Sequence, residues 1–296
     1  MDIRTLWAHD VVRGALWMTL ASIMVALSAA CVRQLSASFS PFELVFLRNL
    51  MGTLLLLPWS LRLASRGTLR TTRMPMYMLR TTLSYTGMVC VFYALGNMPL
   101  GEVYSLLFLV PLITIILAVL LLKEWAGSHA WVACVVGFIG ALVILRPGII
   151  EVTLAAGAVL YTAVTYAGTN ICIKSLSRTD SPVHITIYGN LLALPLAFVP
   201  SLFVWRTPDW SDIPWIIAMG LFQTLAGLFH ARSVQAADAR VVQPFNFLRL
   251  PASVAIGYLM FAELPSHWTW LGAGLIFASS YYVLYREAGS RTRNSR

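Results

Sequence analysis

The stretch Val241–Glu263, VVQPFNFLRLPASVAIGYLMFAE, decides how the rest of the chain is read. Its length suits a bilayer crossing, at ~1.5 Å of rise per residue against ~30 Å of hydrocarbon. Two prolines interrupt it, however, and Arg249 stands near its middle. Each proline lacks an N–H and crowds the carbonyl four residues earlier, so Pro244 and Pro251 free the carbonyls of Arg240 and Phe247. Broken backbone and a cation are tolerated at membrane depth only where they face protein or a wet cavity. An earlier stretch, Leu109–Glu124 (LVPLITIILAVLLLKE), places Pro111 and Glu124 where the later one places Pro251 and Glu263, at offsets of 140 and 139 residues. Interrupted helices at corresponding places in two halves of a chain point to a transport site.

Composition sets the class. The 296 residues are 58% hydrophobic and 11% charged, with a mean hydropathy of +0.75, too apolar to cover a soluble globule of that size. The chain reads as a polytopic membrane protein. Its net charge of +9 is no nucleic-acid signal, because the cations lie between apolar runs and in the tail. Cys31, Cys90, Cys134 and Cys172 all fall inside apolar runs with no paired spacing, which fits small buried hydrophobes and neither a disulfide framework nor a metal site. Arg13 followed by Gly14–Val32 has some features of a signal peptide, but the run exceeds the usual ~7–15 residue core, and similar runs continue throughout.

Ten spans can be drawn, at about 14–34, 42–63, 75–97, 100–122, 127–145, 152–175, 183–205, 213–236, 239–262 and 266–285. Short connections make neighbours antiparallel. Arg62, Arg66, Arg70, Arg73, Lys123, Lys174, Arg178, Arg240 and the basic tail then share one side with the N-terminus, whereas Arg33, Arg146 and Arg206 face the other. The positive-inside rule predicts both termini in the cytoplasm of a cell whose inner membrane holds the protein. Trp59, Trp125, Trp131, Trp205, Trp210, Trp215, Trp268 and Trp270 fall near span ends, where amphipathic rings meet headgroups.

The two halves echo each other at a steady spacing. RQLS at Arg33–Ser36 meets KSLS at Lys174–Ser177, and SPFELVFLRNL at Ser40–Leu50 meets SPVHITIYGNL at Ser181–Leu191, both at an offset of 141; Gly87 meets Gly227 at 140 and Trp131 meets Trp270 at 139. Five spans per copy is an odd number, so the second copy enters the membrane from the opposite side. The expected architecture is all-α: ten transmembrane helices in two inverted five-helix repeats, 12–145 and 152–286, around a central cavity, followed by a basic cytoplasmic tail, 287–296.

Three runs, SPFELVFLRN, ALGNMPLGEVYSLLFLVPLITIILAVLLLKE and NFLRLPASVAIGYLMFAELPSHWTWLGAGLIF, resemble the EamA-like members of the drug/metabolite transporter superfamily. The resemblance covers roughly residues 12–286. It implies ten helices in inverted repeats that move metabolites by alternating access, and aromatic amino-acid exporters are the subtype it suggests. The repeated proline-to-glutamate spacing is specific for the superfamily and weak for substrate.

Candidate binding residues follow from depth and helical spacing. Arg249, with Asn246 and Ser253 on its helical face, offers a fork for a carboxylate. Arg48 lies close enough to its span end to snorkel and reads as a brace. On the sixth span, Tyr161 and Thr165 form one i, i+4 stripe, and Tyr166 belongs to the next. Tyr77, Thr81, Ser84 and Tyr85 on the third span, and Gln223 with His230 on the eighth, offer similar polar walls. Tyr104 and Phe108 on the fourth lead toward Pro111 and provide aromatic surfaces. Interhelical packing explains any of these hydroxyls equally well.

Glu43, Glu102, Glu124 and Glu263 all sit near predicted span ends, so no carboxylate is placed to couple protons at mid-membrane, and His230 is the remaining titratable candidate. Downhill or weakly coupled movement is therefore expected. No HExxH, GxSxG, paired CxxC or phosphate-binding glycine loop occurs, so an enzyme is not expected, nor a metal or cofactor. The reading is a secondary transporter, functional as a monomer, that exports neutral or aromatic amino acids or similar amphipathic metabolites. Purine, nucleotide-sugar or S-adenosylmethionine carriage is the alternative, and a polytopic membrane enzyme a remote one.

Overall fold

The computed structural model describes residues 3–64, 71, 73–122, 128–145, 153–176, 179–180, 182–236 and 243–293. These form α1 (Ile3–Leu35), α2 (Pro41–Ala64), α3 (Met74–Asn97), α4 (Leu100–Leu107), α5 (Leu109–Leu122), α6 (Ser128–Leu145), α7 (Leu154–Leu176), α8 (Pro182–Leu202), α9 (Ile213–Ala236), a 3₁₀ segment (Gln243–Leu248), α10 (Arg249–Phe261) and α11 (His267–Arg293). The fourth span is α4 with α5, and the ninth is the 3₁₀ segment with α10. No strand occurs among the described residues. Among the described residues, four stretches are long and apolar enough by themselves to cross a membrane: Val12–Leu35, Leu100–Leu121, Leu154–Leu176 and Ile213–His230. The second and third spans carry Glu43, Arg48 and Arg80, and it is the bundle that shelters such groups.

The prolines locate the breaks. Phe108 separates α4 from α5, and Leu248 closes the 3₁₀ segment before α10 begins at Arg249, so both breaks sit at equivalent places, 140 residues apart. Pro111 and Pro251 are each the third residue of the α segment that follows. In that first turn a missing N–H is no loss; the bonds given up are those that would have reached back across the break to Leu107 and Phe247. Six 3₁₀ residues at ~2 Å and thirteen α residues at ~1.5 Å sum to about the ~30 Å of hydrocarbon. Arg249 therefore stands about 12 Å from one end of its span.

The halves interlock reciprocally. The most extensive packing joins α1 to α9 and α3 to α7, the first helix of each repeat against the third of the other, while α6 and α11, the two fifth helices, pack on each other. Glycines let these pairs approach. A Cβ on Gly87 would collide with Thr165 Oγ1, and one on Gly140 would lie 2.8 Å from the carbonyl oxygen of Gly272. Because that neighbour is backbone, Gly140→Ala is expected to destabilise the protein by about 1–3 kcal/mol, read from unfolding in mixed micelles, with no change in substrate affinity.

Polar ties close both ends of the bundle. At one end Glu43, 1% exposed, accepts the backbone N–H of Arg206 at 2.6 Å. At the other, Asp180 accepts the Tyr77 hydroxyl at 2.7 Å and the Thr71 hydroxyl at 3.2 Å, while Arg73 donates to the Ser175 carbonyl and hydroxyl, each at 2.8 Å. An acid near the start of each repeat's second helix thus holds the loop that precedes the third helix of the other repeat. Arg33 adds a third tie. It donates to the carbonyls of Leu95 (2.9 Å) and Met98 (2.7 Å) and pairs with Glu263 at 2.8 Å, and Glu263 in turn accepts the backbone N–H of Leu100 at 2.9 Å. The counterpart Glu124 lies outside the described residues.

Glu263 is positioned by the stop of α10. Ala262 adopts φ 54°, ψ 30°, and the N–H groups of Ala262 and Glu263 bond back to the carbonyls of Tyr258 (3.0 Å) and Gly257 (3.2 Å). A left-handed residue with a Cβ is strained by roughly 1 kcal/mol. Ala262→Gly is accordingly expected to stabilise the protein by up to about 1 kcal/mol, visible as a higher unfolding midpoint with transport retained.

Candidate substrate cavity

Where the two broken spans meet, the bundle leaves a cavity of about 230 Å³. It is lined by Val25, Ser28, Ala29 and Val32 of α1, Arg48 of α2, Val91, Phe92 and Leu95 of α3, Tyr104 and Leu107 of α4, Tyr166 of α7, Gln223 of α9 and Arg249 of α10. Both repeats contribute, and both helix breaks border it. The volume is slightly below the ~300–1,000 Å³ of pockets that enclose drug-sized ligands, so a substrate of that size requires the walls to part.

Arg249 is the first residue of α10, at the 3₁₀-to-α junction. Its guanidinium donates to the Asn246 side-chain carbonyl at 3.0 Å and lies 5.8 Å from the centre of the Tyr104 ring. The buried Nε has no hydrogen-bond partner. Nearby carbonyls are provided for otherwise: those of Phe245 and Asn246 accept from the Ser22 hydroxyl at 3.3 and 3.4 Å.

Arg48 reaches the same cavity from α2. Its Nη1 donates to the Met88 sulfur and its guanidinium lies 5.7 Å from the Phe92 ring centre. Thioether and ring faces are weak partners for a guanidinium. Among the described residues neither arginine has a carboxylate partner, and no aspartate or glutamate lines the cavity. Two cations, two tyrosines, a phenylalanine and one amide thus converge in one space without a counter-charge. Acceptor-rich or anionic groups with a flat apolar body suit such a lining.

Of the residues singled out in the sequence, Arg249, Gln223, Tyr104 and Tyr166 line this cavity, and Asn246 supports Arg249. The others lie elsewhere. Tyr77 is spent on Asp180. Thr81 and Tyr85 are buried in the core, with hydroxyls that have no partner, and Ser84 is half-buried on the same helix. Tyr161 is exposed and reaches the Thr86 hydroxyl at 3.3 Å. Thr165 bonds back to the carbonyls of Tyr161 and Thr162, both at 3.1 Å. Ser253 is fully buried and bonds back to the Leu250 carbonyl at 2.8 Å. His230 is exposed, two turns from Gln223 on α9. Phe108 is buried at the break between α4 and α5, and of Pro111 and Pro244 only the backbone is described.

Arg48, a brace by its place in the sequence, lines the cavity, and so does a stretch of α1 that carries no sequence signal. Position 48 corresponds to Gly189 in the second repeat, so no echo marked it. The α1 stripe of Val25, Ser28, Ala29 and Val32 is small and apolar, indistinguishable by composition from a packing face. Among the described residues no group of three or more His, Cys, Asp or Glu comes together to hold a metal.

Comparison with known proteins places this geometry. The model of the EamA-like transporter family matches twice, over residues 12–146 and 153–285. The chain is 32% identical to the riboflavin transporter of Vibrio cholerae over 290 residues, covering 96% of this chain and 97% of that one. It is 26% identical to the S-adenosylmethionine uptake transporter of Rickettsia felis, covering 95% of each. A solved crystal structure at 17% identity shares the fold with a TM-score of 0.62 over 93% of this chain and 96% of its own. With two matched repeats, two equivalent helix breaks and a cavity between them, the chain belongs to the EamA-like transporter family and is a membrane transporter of the drug/metabolite type.

Proposed function

We propose that this protein carries riboflavin, or a closely similar planar and acceptor-rich heteroaromatic, across the inner membrane as a monomer with both termini in the cytoplasm. The observation that carries the reading is the pair Arg48 and Arg249, lining one cavity with no carboxylate among its described residues. A flavin's ring system presents carbonyl and ring-nitrogen acceptors that guanidinium and Gln223 donors match, and a flat apolar body that Tyr104, Tyr166 and Phe92 can cover. The Vibrio cholerae relative, named a riboflavin transporter, supports this over nearly the whole chain. The arginine distribution supports the orientation.

Amino-acid export, the expectation from the sequence, places the carboxylate at Arg249 but leaves the ammonium group beside two cations. S-adenosylmethionine, the substrate named for the Rickettsia felis relative, adds a sulfonium to that repulsion. Charge therefore favours the flavin class. The test is a titration of purified protein with riboflavin, following its fluorescence. Saturable quenching that phenylalanine and S-adenosylmethionine fail to reverse is expected. Absence of quenching in folded protein that S-adenosylmethionine or phenylalanine stabilises would reject the flavin reading.

A further inference from the structure

We propose that the substrate-free carrier holds a small inorganic anion, of the chloride or phosphate class, between Arg48 and Arg249, and that substrate displaces it. The inference takes the 230 Å³ cavity as the transport site, but it does not depend on which substrate is carried. It follows from what the two cations lack.

Arg48 donates to a thioether and faces a ring. Arg249 gives one bond to Asn246, faces another ring, and leaves its buried Nε without a partner. Among the described residues no acid lines the space they share. Guanidinium groups at this depth have lost most of their water, and where the described residues supply no carboxylate the neutralising charge comes from solution. Spare N–H donors of two arginines lining one small cavity give an anion hydrogen bonds as well as charge. Substrate recognition uses the same donors, so the anion and the substrate exclude one another. A cycle in which the emptied carrier returns only after the anion has entered is then an exchange of substrate against anion.

Two measurements separate this from the flavin reading. First, thermal unfolding of the protein in neutral-detergent micelles is followed at constant ionic strength while chloride, nitrate or inorganic phosphate replaces gluconate. A saturable rise of about 1–3 °C, of the size a one-kcal/mol binding contribution gives a chain of this length, is expected for wild type and for Arg232→Gln, a cation outside the cavity. The rise is lost in Arg48→Gln and in Arg249→Gln. Equal midpoints in all anions, or an undiminished response in both cavity variants, would overturn the proposal. So would a rise with phosphatidylglycerol that abolishes the chloride response, since a lipid headgroup would then be the occupant. Second, using wild type alone, riboflavin is titrated at several chloride concentrations; its apparent Kd rises in proportion to chloride if the two compete, and chloride-independent binding counts against the proposal. An anion response without flavin binding would retain this inference and reject the flavin, and the reverse pattern would do the opposite.

Discussion

Arg249→Gln is expected to weaken substrate binding by about 10- to 100-fold, the equivalent of the ~1.5–3 kcal/mol of a hydrogen bond to a charged group, and to lower transport at subsaturating substrate by the same factor. Glutamine keeps a donor at the 3₁₀-to-α junction and leaves α10 intact, so the unfolding midpoint measured in gluconate, with no small anion to neutralise the site, is expected to hold or rise, because a buried cation without a counter-charge is costly. That pairing of results separates recognition from bracing: a brace would lose stability and affinity together. Arg249→Lys keeps the charge without the planar fork that bonds Asn246 and lies over Tyr104, and it is expected to recover only part of the affinity. The measurement is the flavin titration, run beside thermal unfolding on the same preparation.

The second large effect is expected at the tie between Arg33 and Glu263. Their side chains are 23% and 12% exposed, so solvent screens the pair only partly, and removing one partner is expected to cost about 1–3 kcal/mol, less than the ~3–5 of a fully buried pair. Glu263→Ala removes both the ion pair and the acceptor for the Leu100 N–H that starts α4. Glu263→Gln retains an acceptor there and is expected to cost less. Arg33→Glu combined with Glu263→Arg restores the charge pair without an acceptor for Leu100 or donors for the carbonyls of Leu95 and Met98, so it recovers only part of the loss. Because this tie joins α1, the α3–α4 turn and the end of α10, its loss should also open that end of the bundle. Faster labelling of a cysteine placed at Leu95 in Arg33→Gln would report the opening, and unchanged labelling with unchanged stability would make the tie incidental.

The architecture was legible because its signals repeat. Pro111 and Pro251 stand at equal offsets, and a proline in a span can disturb only the turn before it, so the breaks at Phe108 and Leu248 follow from chemistry that does not depend on tertiary contacts. Arg249 was legible because a cation far from both span ends has few alternatives to a protein-lined cavity. Arg48 was not, since its distance from a span end also allows snorkelling, and only packing shows that it faces inward. Hydroxyl stripes misled for a related reason. Tyr77, Thr165 and Ser253 have the right spacing for a cavity wall, but helical spacing gives a face and not what lies opposite. In the structure they find Asp180 or their own helix's carbonyls instead. The acid that claims Tyr77 sits in a loop, where no periodicity could place it.

Counterflow in proteoliposomes tests the account most directly. Vesicles loaded with unlabelled riboflavin are diluted into labelled riboflavin, and transient accumulation of label is compared between wild type and Arg249→Gln, with phenylalanine and S-adenosylmethionine as alternative internal loads. Exchange needs no net driving force, so the coupling mechanism does not enter. The account predicts rapid accumulation in wild type loaded with riboflavin, little with the other loads, and a loss of about tenfold or more in the variant. Accumulation driven equally by phenylalanine or S-adenosylmethionine, or undiminished in Arg249→Gln, would contradict it.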